Sequence, residues 1–162
     1  FEIALIPAEE SLFDFYKKQG FEPSLFLCRK HFRHDSPCGK REIFSPESFD
    51  LESIYQLYRQ TYAAYRNVLY KSYDMFRAAV LESVFFPGGG FFRCGGGYGF
   101  VLLCKGRLYL REPFGKWEML VRSFSEITVE LPPEKNDGKT PVGFFYSPLG
   151  RWEGSVNHLL NE

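Results

Sequence analysis

The sequence predicts an α/β fold of the α+β style, a mixed and largely antiparallel sheet with flanking helices. Three observations predict it. Two segments, 50–65 and 72–83, carry apolar residues at helical spacing. From Gly88 onward the period changes, and short apolar runs recur between turn residues. From residue 41 the elements read strand, helix, helix, strand, strand, helix, strand, loop, strand.

Taken in order, Ile3, Leu5 and Ile6 form an apolar run that Pro7 ends. Glu9 and Glu10 follow, where a helix N-terminus favours negative charge. Leu12, Phe15, Tyr16 and Gln19 share a helical face, Lys17 and Lys18 sit in the last turn, and Gly20 supplies the left-handed stop. Ser24 to Phe32 reads as a strand, His31 to Lys40 as a polar linker, and Arg41 to Phe44 as a short strand broken by Pro46. Asp50 is an N-cap, with Phe49 and Ile54 spaced as a hydrophobic staple. The helix it opens carries Leu51, Ile54, Tyr55, Tyr58, Thr61, Tyr62 and Tyr65 on one broad face. Asn67 to Lys71 reads as a break. Ser72 caps a second helix, with Phe76, Ala79, Val80 and Ser83 on one face, ending before Pro87. Tyr98–Leu103 and Arg107–Arg111 are strands about a Lys105–Gly106 turn. Pro113 to Lys116 is a turn, Trp117 to Phe124 a helix and Ile127 to Leu131 a strand. A polar loop, Pro132 to Pro141, leads to strands at Val142–Tyr146 and Val156–Leu160.

Composition narrows the function classes. Of 162 residues, 44% are apolar and 19% aromatic, enough for a sizeable core and too apolar for disorder. Twenty basic residues balance twenty acidic ones, so there is no basic field for nucleic acid or an anionic membrane. No apolar run approaches the roughly 18 residues of a membrane span. Four Cys in a chain of this size suit a reducing cytoplasm, although the even number leaves disulfides open.

The run LIPAEESLFDFYKKQGF, Leu5 to Phe21, points to a reaction. Its strand, turn, helix and Tyr16-x-x-x-Gly20-Phe21 ending resemble the closing segment of a GNAT-type N-acetyltransferase domain, and the fuller string resembles tandem-GNAT proteins of bacterial type. The element order from residue 41 is similar to a second domain of that fold. The resemblance implies that residues 1–34 close a first GNAT domain whose remainder lies upstream, that 35–40 link, and that 41–162 form a GNAT-like domain lacking a CoA loop. It implies acetyl transfer from acetyl-CoA to a small-molecule or peptide amine, with Tyr16 as general acid toward the departing thiolate. It also implies that Glu9 and Ser11 lie along the cofactor arm; the family often has Asn where Glu9 stands. The family's pyrophosphate loop, R/Q-x-x-G-x-G/A, would fall before Phe1. Oligomerisation is compatible with this reading.

Other residues invite rival chemistry. Cys28, His31, His34 and Cys38 form C-x2-H-x2-H-x3-C, all zinc-ligand types, at a spacing unlike a standard finger. The alternative reading is therefore a non-enzymatic α/β interaction module, zinc-stabilised at those four. Gly88–Gly90 and Gly95–Gly97 lack the Lys-Ser or Lys-Thr of a phosphate loop and read as a flexible loop with a glycine-broken edge strand. Cys94 and Cys104 read as thiols, and His158 as structural or exposed. Glu112, at a strand end, is either a base for an amine or a solvated charge beside Arg111 or Lys105. Tyr55, Tyr58, Tyr62 and Tyr65, without a basic background, read as a helix packing on the sheet.

Overall fold

A computed structural model describes residues 3–5, 7, 11–23, 25–45, 48–65, 68–133, 140–146 and 155–156. Its elements are β1 (Ile3–Leu5), α1 (Ser11–Lys18), β2 (Leu25–Arg33), β3 (Glu42–Ile43), α2 (Leu51–Ala63), β4 (Val68–Leu69), α3 (Tyr73–Glu82), β5 (Gly90–Cys94), β6 (Gly97–Cys104), β7 (Arg107–Gly115), α4 (Trp117–Arg122), β8 (Glu126–Leu131), β9 (Thr140–Tyr146) and β10 (Ser155–Val156). A 3-10 turn, Ser83–Phe85, follows α3. No helix among the described residues is long and apolar enough to cross a membrane.

The chain divides into two compact units. One comprises Phe1–Cys28, Tyr65–Leu69 and Pro132–Glu162; the other comprises Arg29–Ala64 and Tyr70–Leu131. In the first, β9 lies between β1 and β2 and runs antiparallel to both. Pro141, which has no N–H to give a ladder, stands opposite Phe26 where the β2–β9 register shifts. β4 and β10 form a short parallel pair.

The second unit is a mixed α/β fold on a six-stranded, largely antiparallel sheet in the order β2-β8-β7-β6-β5-β3. β7 and β8 are parallel, while β3–β5, β5–β6 and β6–β7 are antiparallel. Two tight turns close the hairpins, at Gly95–Gly96 and Lys105–Gly106. All four residues have positive φ, the geometry that matches strand twist in two-residue hairpins.

Strand alternation feeds two cores on opposite faces of this sheet. Phe100 meets Phe76 of α3 at 6.3 Å between ring centroids, and Phe91 meets Phe100 at 4.9 Å. Tyr58 of α2 joins Phe76 and Phe114 at 4.8 and 5.4 Å. The neighbouring Val101 belongs instead to the core under α4, with Leu110, Leu120, Val121, Ile127 and Val129. Each buried ring removes about 150–250 Å² from water, so the aromatic cluster dominates the unit's stability.

Both long helices begin where local chemistry dictates. Asp50 accepts from Ser53 N–H at 3.3 Å and from the Ser53 hydroxyl at 2.6 Å. Ser72 accepts from Met75 N–H at 3.3 Å. Replacing Ser72 by Ala leaves that helix N–H without its cap and lowers stability by about 1 kcal/mol, measurable by urea denaturation. The Ser53 hydroxyl, then its N–H, holds the Asp50 carboxyl below the ordinary 3.8. A depressed native pKa means that this contribution is complete above 3.8 and is lost as pH falls through the lower native value. Asp50→Asn, which still caps but does not titrate there, flattens the acid side of the stability profile.

Three sequence expectations change. Gly90–Cys94 is a full strand between β3 and β6, with Phe91 buried, and not a loop with an edge strand. β7 continues through the expected turn at Pro113 as far as Gly115. The polar stretch after β2 is docked on the C-terminal end of α4: Cys38 N–H donates to Arg122 O at 3.0 Å and Arg41 Nη1 to Ser123 O at 2.6 Å, with the Arg41 guanidinium 4.1 Å from the Phe124 ring centroid.

Candidate functional site

α1 ends in a complete Schellman motif. Phe21 N–H donates to Tyr16 O at 3.1 Å and Gly20 N–H to Lys17 O at 3.0 Å, with Gly20 at φ +86°. The accompanying apolar contact is made by Tyr16 and Phe21, whose rings meet edge to face at 6.0 Å. Tyr-x-x-x-Gly-Phe thus has a full architectural account as a helix stop. Tyr16 is half-buried and also packs edge-on against Phe15 at 5.3 Å. Ser11 is exposed at the first helical residue, and Glu9 lies outside the described residues, as does His158. Gly20→Val forces a β-branched residue to positive φ and costs about 1–2 kcal/mol, measurable by urea denaturation.

The structure does not gather Cys28, His31, His34 and Cys38 into one group. Among the described residues no group of three or more His, Cys, Asp or Glu could hold a metal. Cys28 and His31 are three apart on one strand, so their side chains leave opposite faces. Cys28 is buried. His31 Nδ1 pairs with Thr128 Oγ1 at 3.2 Å and its Nε2 lies 3.3 Å from Glu126. His34 Nδ1 donates to Phe124 O at 3.1 Å.

The densest buried chemistry lies at a bulge in β7. Tyr98 pairs with Phe114 and Phe100 with Arg111, so Glu112 and Pro113 together oppose Gly99. Glu112 takes φ +49°, an uncommon conformation for a residue with a side chain. Gly99 is required opposite it: an added Cβ would stand 2.5 Å from Leu110 Cδ1 and 3.3 Å from Arg111 O. The bulge turns the Glu112 carboxylate toward α2 and the segment before α3. One oxygen accepts from the Tyr58 hydroxyl at 3.0 Å, and the other is ion-paired with Lys71 Nζ. The two side chains are 4% and 1% exposed, which marks this as a buried pair and not a surface bridge.

α2 supplies the surrounding hydroxyls. Tyr55 donates to Lys71 O at 3.2 Å and Tyr62 to Pro113 O at 3.1 Å, while Lys71 N–H donates to the Tyr58 oxygen at 3.2 Å. Of the tyrosines expected on this face, Tyr55, Tyr58 and Tyr62 lie on α2 and their polar ends satisfy the bulge and the segment before α3, whereas Tyr65 lies beyond the end of the helix. Glu112 is neither a solvated charge nor an available base. A general base must reach the proton that it abstracts, and both Glu112 oxygens are engaged in a buried place. Sequence reasoning left Lys71 in a break between elements; its one local signal is a position between Val68-Leu69-Tyr70 and a capped helix.

A second carboxylate lies near by on β8. Glu130, side chain 3% exposed, accepts from Arg29 Nε at 2.9 Å and Arg111 Nε at 2.8 Å. Together with Arg33–Glu126 at 3.2 Å, these pairs run in opposite senses along β2 and β8 and hold them antiparallel.

The turn into α4 follows the parallel-strand partner β7, a place where a phosphate could meet backbone N–H groups. Here it is occupied by protein. Lys116 N–H donates to Gly96 O at 3.0 Å, and an added Cβ on Gly97 would lie 2.3 Å from Lys116 O. The β5–β6 turn is thus packed directly against the turn into α4.

No protein-family model matches the chain, and no curated protein matches it. Among solved structures, the chain is similar to a GCN5-related N-acetyltransferase from Kribbella flavida, with 15% identity and a TM-score of 0.48 over 84% of this chain and 37% of that one. It is also similar to a GCN5-related N-acetyltransferase from Sphaerobacter thermophilus, with 9% identity and a TM-score of 0.43 over 89% of this chain and 57% of that one. The chain therefore spans well under two thirds of the length of either.

Proposed function

We propose that the chain is the C-terminal part of a tandem GNAT-type acetyltransferase that moves an acetyl group from acetyl-CoA to an amine. The observation that carries the reading is the consecutive order β1, α1, Gly20 stop and β2, the strand–helix–strand unit implied by the resemblance of Leu5–Phe21. In this reading the amine nitrogen attacks the acetyl carbon, the C–S bond breaks, and Tyr16 gives its phenolic proton to the CoA thiolate. Ser11 and Glu9 lie along the pantetheine arm, and the remainder of the first domain supplies the pyrophosphate loop.

The second unit works as a scaffold in this proposal. Two features support that role: Glu112 is neutralised in a buried pair, and the turn into α4 is filled by the β5–β6 hairpin. Acetyl-CoA is expected to raise the melting temperature of the full-length protein. Tyr16→Phe is expected to lower kcat by about 10²–10⁴-fold, the usual worth of a general acid. No acetyl-CoA shift in the full-length protein would overturn the enzymatic reading. A shift with kcat untouched by Tyr16→Phe would overturn the role of Tyr16 alone.

A further inference from the structure

We draw no further inference here: the strongest candidate, the exposed apolar side chains Ile43, Val84, Phe85 and Leu103 around the turn that leads into β5, carries nothing because nothing in the structure shows what covers them.

Discussion

Lys71→Met is expected to destabilise the protein by about 3–5 kcal/mol, the cost of leaving one member of a buried ion pair without its partner. Glu112 is 5% exposed and sits on a bulge at positive φ, so it has no easy route to water. With the ammonium gone, the Tyr58 hydroxyl remains its one identified donor, and one hydrogen bond does not replace the hydration that a carboxylate loses. Glu112→Gln alone removes the negative charge that faces the Lys71 ammonium. The double variant Lys71→Met with Glu112→Gln has no buried charge at this point, and Gln can still accept from Tyr58. It is therefore expected to be more stable than the sum of the single losses by several kcal/mol, a coupling that a double-mutant cycle reads directly. Urea denaturation of the four proteins provides the measurement. A Lys71→Met midpoint equal to the parent's, or strictly additive losses, would show that the pair does not hold α2, residue 71 and β7 together.

The contrast between Ser72 and Lys71, adjacent in sequence, explains what could be read in advance. A cap is local: Ser72 meets Met75 N–H three residues away, so residue type and spacing suffice to find it. The same holds for Asp50 and for the Gly20 stop. Lys71 depends on a carboxylate 41 residues away, delivered by a bulge that depends in turn on Gly99. Nothing near Lys71 encodes that meeting. β5 was hidden for a related reason. Phe91-Phe92-Arg93-Cys94 is a short run set among glycines, and it becomes a strand through pairing with Glu42–Ile43 on one side and with Gly97–Phe100 on the other. The four zinc-ligand types failed in the opposite direction. Their residue types invited a metal site, but strand period separates Cys28 from His31 whatever their chemistry. Helix ends and helix faces were thus legible, whereas buried polar contacts between distant elements were not.

Truncation after Pro133 is expected to abolish the ordered sheet of the first unit while the second unit keeps its fold. β9 is the middle strand there: Ile3, Ala4 and Leu5 pair with Tyr146, Phe145 and Phe144, and Leu25, Phe26 and Leu27 pair with Gly143, Pro141 and Thr140. Without it, β1 and the start of β2 lose the strand that they share, and isolated strands are not stable in water. The second unit, by contrast, retains β3, β5–β8 and both of its cores, all of which lie before residue 133. Hydrogen exchange resolves the two outcomes by residue. Amides at 3–5 and 25–27 should fall to open-chain rates in the truncated protein, while those of Phe91, Phe100 and Val129 stay protected. Persistent protection at 25–27 would mean that β2 is held by its continuation beside β8, where Arg29 and Arg33 meet Glu130 and Glu126, and not by β9. Loss of protection at Phe91 and Phe100 as well would mean that the two units fold as one cooperative body. Only selective loss fits a C-terminal segment that returns to complete the sheet begun at the other end of the chain.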